Sequence, residues 1–213
     1  GRRAVSYDLR GTAGQVDLRR LPASTRAPAL DTVLTIADYH VQGVGTEASG
    51  SATLDRSLVE GATLAMGTVV AFDTRAEPLT YSAKGTIAGL DVRRLGQALD
   101  IQALDDERYG GRVNGDFDVH AAGTSLEELQ LSASGTLSDS AMWGTHVPEM
   151  SFTAGIAESA LTLDVKGAFD QLNPAVLLER KALDGNVNGT VDATLRWRHL
   201  AAPITAASID VDG

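Results

Sequence analysis

Four histidines, His40, His120, His146 and His199, are the side chains best suited to hold a metal or move a proton near neutral pH. No two of them stand at i and i+4 and no HExxH occurs, so no zinc-binding helix face is encoded. They read as surface or strand-face residues. Gly43-Val44-Gly45 with Gly50 hints at a phosphate loop, but a Ser/Thr-rich strand follows where the anion-binding helix N-terminus would have to be. Turn glycines explain them better. Asp116 with Asp118, and Asp210 with Asp212, offer carboxylates suited to Ca²⁺; without an EF-hand pattern they read as acids on a strand's outer face. Asp105-Asp106-Glu107 falls in a loop between helix and strand, where like charges stay solvated. No GxSxG elbow is present, and the absence of cysteine removes thiolate nucleophiles, thiolate metal sites and disulfides. No catalytic constellation is legible. The expectation is a protein that is not an enzyme and needs no cofactor or metal.

The elements that would position these residues come from a phrase that returns. LTYSAKGTIAGLDVRRLGQAL, residues 79–99, has Gly85 six residues before Asp91. YDLRGTAGQVDLRRL has Gly11 six residues before Asp17, and LDVKGAFDQLNPAVL has Gly167 six residues before Asn173. The glycines are 74 and then 82 residues apart. In the central copy Leu79, Tyr81, Ala83, Gly85 and Ile87 alternate with Thr80, Ser82, Lys84 and Thr86, the period of a strand with one apolar face. Asp91 then caps a helix carrying Val92, Leu95 and Leu99 at helical spacing. In the third copy Asn173 caps and Pro174 occupies the first helical position, where its missing N–H costs nothing. The unit is strand, turn, helix, with helices expected near 91–99 and 173–183 and a shorter turn near 17–21.

Between the first two helices five strand-like runs are read, at 31–41, 45–54, 56–66, 67–73 and 78–87; between the second and third, five more at 112–122, 126–137, 139–146, 147–157 and 159–168. Two further strands, 187–197 and 204–212, come after the third helix. In the run 56–66, Leu58, Ala62, Leu64 and Met66 share a face with Glu60 as an intruder, whereas 33–41 fits either parity. Gly185-Asn186-Val187-Asn188-Gly189 repeats Gly111-Arg112-Val113-Asn114-Gly115 at 74 residues, and Thr53-Leu54 returns as Thr136-Leu137 at 83. A period near 80 makes the repeat, rather than the globular domain, the unit. Residues 1–213 read as one continuous β-repeat segment of a longer protein: 1–11 end a preceding unit, 12–87 and 88–168 are whole units, and 169–213 are a partial third. Many positions on the apolar parity are small, among them Ala83, Gly85, Gly115, Ala121, Ala133 and Gly135, so the faces either pack closely on another sheet or leave a groove for something else.

Lys plus Arg number 18 against 28 Asp plus Glu, a net charge of −10, which argues against nucleic acid as a partner because affinity for it rests on neutralised phosphates. Arg19-Arg20 and Arg93-Arg94 read most simply as solvated faces of short helices. No run approaches the ~18 apolar residues of a membrane helix.

Tandem strands with a short helix-bearing connection, Gly-rich strands and phrases such as GTSLEELQLSASGTL resemble the AsmA-like and TamB-like envelope proteins of Gram-negative bacteria, members of the repeating β-groove, bridge-like lipid-transfer group. The resemblance implies a mainly β fold: about five antiparallel strands plus a short helix per repeat, coiling into an open apolar groove. It implies phospholipid acyl chains as the cargo, carried between inner and outer membranes. It also implies a periplasmic location with an inner-membrane tether outside this segment, and further repeats at both ends. The expected lining, on the apolar parity, is Leu79, Tyr81, Val113, Phe117, Val119, Leu129, Leu131, Met150, Phe152, Ile156, Leu161, Leu163, Val165, Val187, Val191 and Leu195. The rival reading is a structural or adhesive β-repeat scaffold with a dry core.

Overall fold

The structure is a computed structural model that describes residues 5–20, 30–98, 110–123, 128–142, 144–175, 182, 184–198 and, for their backbone, 209–212. Expectations for Leu99, Asp105-Asp106-Glu107, His199, the greater part of the third helix and the start of the last strand fall outside these residues.

The described chain is mainly β, one large antiparallel sheet with one short α-helix. In order the elements are β1 (Ser6–Val16), the single-turn 3₁₀ helix η1 (Leu18–Arg20), β2 (Thr32–Val44), β3 (Glu47–Leu54), β4 (Ser57–Val59), β5 (Ala62–Leu64), β6 (Val69–Asp73) and β7 (Thr80–Leu90). Then come α1 (Val92–Ala98), β8 (Gly111–Ala122), β9 (Gln130–Met142), β10 (Thr145–Ala157), β11 (Ala160–Leu172), β12 (Val187–Arg198) and β13 (Ile209–Asp212). From β7 to β13 each strand pairs with its sequence neighbours. In the first half, β3 and β4 lie end to end along β2, pairing Ile36–Val44 and Thr32–Val33 respectively, while β5 and β6 lie end to end along β7. The sheet is therefore a meander throughout, built as local hairpins.

The strand count between helix-bearing connections corrects the sequence reading: four lines of strand, not five. The run 56–66 is not one strand. It folds back at Glu60-Gly61, both in left-handed conformation with φ of 48° and 82°, so that Val59 faces Ala62. Parity resets there, which is why Ala62 and Leu64 are buried while Leu58 pairs with Val33 on the other face, 42% exposed, and Met66 in the break before β6 is 77% exposed. In the second half the expected runs 126–137, 139–146 and 147–157 are two strands, β9 and β10, meeting at a turn that contains Gly144 with φ 71°.

The three copies of the phrase share a ladder slip and a cap. A ladder slip lies between Ala13 and Val16, Ile87 and Leu90, and Phe169 and Leu172. Each slip contains a left-handed residue, Gln15 (φ 55°), Gly89 (φ 76°) or Gln171 (φ 61°), two positions before the capping residue. Asp17, Asp91 and Asn173 then accept, through Oδ1, the backbone N–H two residues on, from Arg19, Arg93 and Ala175 at 3.1, 3.0 and 2.9 Å. The asparagine of each GxVNG phrase pins the neighbouring slip: Asn114 Oδ1 accepts from Gly89 N at 2.8 Å, and Asn188 Oδ1 from Gln171 N at 2.7 Å. Ser57 and Ser140, both buried, also match, since each hydroxyl accepts from the backbone N–H of the strand beside it, Thr35 or Asn114, at 2.9 Å.

The arginine pairs are more engaged than a solvated helix face. Arg19 reaches Asp31 at 2.7 Å as well as Asp17, and Arg94 pairs with Glu60 at 3.2 Å and Asp31 at 3.6 Å. Glu60, 7% exposed, accepts the Asp31 N–H at 2.5 Å and donates its own N–H to the Asp31 carbonyl at 2.7 Å. The intruder in the apolar run is thus a tie between the first two helix-bearing connections. No helix among the described residues is long and apolar enough to cross a membrane.

Candidate functional site: an apolar sheet face

Registration of the ladders converts the alternating sequence into rows of side chains running across the sheet. One row passes from Tyr39 through Ala52, Val70, Ala83, Val119, Ala133, Ala154 and Leu163 to Leu195, each directly opposite the next. Beside it runs a second, from Leu9 through Val41, Gly50, Phe72, Tyr81, Ala121, Leu131, Ile156 and Leu161 to Trp197. A third joins Gly85, Phe117, Gly135, Phe152, Val165 and Ala193, and a fourth Ile87, Gly115, Leu137, Met150, Gly167 and Val191. No charged residue interrupts any of the four.

The opposite face carries the intervening residues and is polar. Lys84, Asp118, Ser134, Thr153, Asp164 and Thr194 form one row, with Lys84 Nζ on Asp118 at 2.8 Å and Thr194 donating to Asp164 at 2.5 Å. In the adjacent row Lys166 Nζ meets Asp192 at 2.7 Å. The Lys84 ammonium holds the Asp118 carboxyl below its usual range, and Asp118 raises Lys84 in turn. These acids are thereby committed to cross-strand pairs, as expected of outer-face residues. Among the described residues no cluster of His, Asp and Glu is arranged to hold a metal. His40, His120 and His146 lie beside Asp8, Asp118 and Asp139 at 3.0, 3.0 and 3.2 Å on partly exposed positions. Gly45, with φ 64°, turns the β2–β3 hairpin, and Gly43 and Gly50 lie within its strands.

Of the expected lining residues, those within β7 to β12 occupy the face read for them, and Leu79 and Leu129 precede β7 and β9 outside the strands. Val113 and Met150 are buried, at 8% and 9% exposure, Tyr81 and Val187 are exposed at 40% and 44%, and the remainder are half-buried. Only eight apolar residues among those described are buried, so the described residues put no full second layer over this face. The face also extends past the expected lining, through Val70, Ala52, Val41 and Tyr39 to β1, and it includes Trp197. The run 33–41 hid this because a slip between Ile36 and Asp38 shifts the parity within it.

Glycine placement explains how rings fit so shallow a surface. The Phe152 ring lies over Gly135, the Phe72 ring over Gly50, the Tyr39 ring over Gly11 and the Phe169 ring over Gly189. A Cβ built on those glycines would stand 2.9, 3.0, 3.3 and 3.1 Å from the nearest ring atoms. Each ring lies down on the neighbouring strand instead of standing off it. Small residues here are seats for aromatics, a role the sequence reading missed; the signal was an aromatic directly opposite a glycine once the register is known. Trp197 adds a polar atom without a partner: its indole Nε1 is buried with no hydrogen-bond partner among the described residues.

Comparison with protein families, with characterised proteins and with solved structures finds no match to this chain.

Proposed function

We propose that this chain is a non-enzymatic segment of a periplasmic lipid conduit, in which the apolar face shields phospholipid acyl chains as they move between inner and outer membranes. The observation that carries the reading is the set of apolar rows running unbroken across the sheet, largely half-exposed, back to back with a charged face. Each acyl CH₂ moved from water onto such a surface contributes ~0.8 kcal/mol, and rows of similar lining give no deep local minimum to hold a chain in place. The recurring slip, cap and asparagine pin support tandem repeats, and the sheet coiling on itself would make the groove. Four strand lines at ~4.8 Å advance roughly 19 Å per unit instead of the roughly 24 Å that five would give.

Native mass spectrometry of the purified chain, with lipid analysis of an organic extract, tests this. Co-purifying phospholipid, lost when Leu163 is replaced by Asp in a protein that keeps its circular dichroism, is the expected result. A lipid-free protein whose apolar rows are fully protected from solvent labelling would overturn it in favour of a dry scaffold.

A further inference from the structure

The chain contains two Asn-Gly dipeptides, Asn114-Gly115 and Asn188-Gly189, at matching places in the two GxVNG phrases, and the structure holds them differently. Asn114 is held three ways. Its Oδ1 accepts from Gly89 N at 2.8 Å, its Nδ2 donates to the Asp139 carbonyl at 2.6 Å, and its backbone N–H donates to Ser140 Oγ at 2.9 Å. It is half-buried, and Gly115 behind it is buried. Asn188 has the bond from Gln171 N to Oδ1 at 2.7 Å and no side-chain donor bond to another described residue, and both it and Gly189 are exposed at the start of β12.

We propose that Asn188 is a site of spontaneous deamidation and that Asn114, in the same dipeptide, is protected from it. The backbone nitrogen of Gly189 gives its proton to solvent hydroxide and bonds to the Asn188 side-chain carbonyl carbon. The bond from that carbon to the amide nitrogen breaks, the nitrogen takes a proton from water and leaves as ammonia, the hydroxide is regenerated, and a cyclic imide remains. Water then opens one of the two imide carbonyls, giving aspartate or isoaspartate. Glycine favours the closure because it has no side chain to hinder the attack, and Asn188, although its Oδ1 is held as that of Asn114 is, has no counterpart to the Nδ2 bond that keeps the Asn114 side chain from swinging toward its own main chain. The two products differ in consequence. Aspartate keeps an oxygen for Gln171 N, whereas isoaspartate routes the main chain through an added methylene and withdraws that oxygen from a left-handed, non-glycine slip (φ 61°).

The test ages the chain in warm, mildly alkaline buffer, folded and in urea, and tracks both dipeptides by peptide mapping with fragmentation that separates the two acid isomers. In the folded protein Asn188 should convert several-fold faster than Asn114, and in urea the two should convert alike. Asn188→Gln should abolish most of the ammonia released by the folded protein while leaving its circular dichroism unchanged. Equal conversion of both sites in the folded protein, or an Asn188 that stays intact while the urea sample converts, overturns the proposal.

Discussion

A carboxylate at Leu131 distinguishes a face that takes a ligand from one sealed against another layer. Leu131 lies in β9 opposite Ala121 on one side and Ile156 on the other, half-buried. Full burial of a leucine contributes about 1.5–3 kcal/mol, so losing the half-burial seen here costs about 1 kcal/mol, and aspartate's poor fit to a pleated surface adds up to about 1 kcal/mol more. On a surface open to water the new carboxylate keeps its hydration, and the total is about 1–2 kcal/mol. Under a second apolar layer the same carboxylate would be desolvated at a further cost of several kcal/mol. Gln130→Asp, next in sequence but on the polar face and exposed, should stay within about 0.5 kcal/mol of the parent. Urea unfolding monitored by circular dichroism measures all three proteins, and native mass spectrometry reads their bound lipid. On an open, lipid-bearing face Leu131→Asp should fold with that modest loss and shed its lipid. A loss above about 4 kcal/mol, or failure to fold, in a protein whose parent carries no lipid, would refute it.

Asn114→Ala removes the partner of Gly89 N and of the Asp139 carbonyl together, and should lower stability in urea by about 1–3 kcal/mol, with Asn188→Ala, which frees one exposed donor, costing less. Gly135→Ala should be the more damaging of two glycine substitutions, by about 1–3 kcal/mol relative to Gly189→Ala. Its Cβ would run into the Asp116 carbonyl oxygen in addition to meeting Phe152, whereas at Gly189 only the Phe169 ring has to give. Asp73 should titrate at about 2 in carbon-detected NMR. The Arg75 side chain at 2.8–2.9 Å and the Arg75 N–H at 2.8 Å both favour its ionised form. A carboxyl lowered on folding stabilises the native state above its unfolded value near 3.8, and that stability is lost as pH falls through about 2; Asp73→Asn should flatten stability across that window.

Much of the sheet was legible because the chemistry that sets it is local. The cap residues Asp17, Asp91 and Asn173 are recognisable by their own type and by the helical spacing or proline directly after them, and alternation from Val113 to Val165 fixes which face is apolar whatever the pairing. The reversal at Glu60-Gly61 was not legible. The residues on both sides alternate in phase with an unbroken strand, and Glu is a poor turn signal; its left-handed backbone is held by the reciprocal bonds with Asp31, 29 positions away in sequence. The join between β9 and β10 failed the same way. The pairing of rings with glycines was invisible for another reason: Phe152 and Gly135, or Phe72 and Gly50, are brought opposite only by register, and register is a property of two strands together.

The meander also decides how the molecule answers to load. From β8 onward each strand is paired, among the described residues, with its neighbours in sequence alone, so tension along the row of strands meets the ladders in series and not in parallel. Such a sheet opens as a zipper does, one seam at a time from whichever end is drawn, and its resistance is that of the seam at the front, however many lie behind. The first half is stitched differently. The tie from Arg94 to Glu60 and Asp31, and from Asp31 to Arg19, crosses from the β7–β8 connection to the β1–β2 connection, so the seams between them share their load at that margin. Among the described residues the seam between β12 and β13 is four residue pairs long, so it should be the first to yield when the strands are drawn apart from that side.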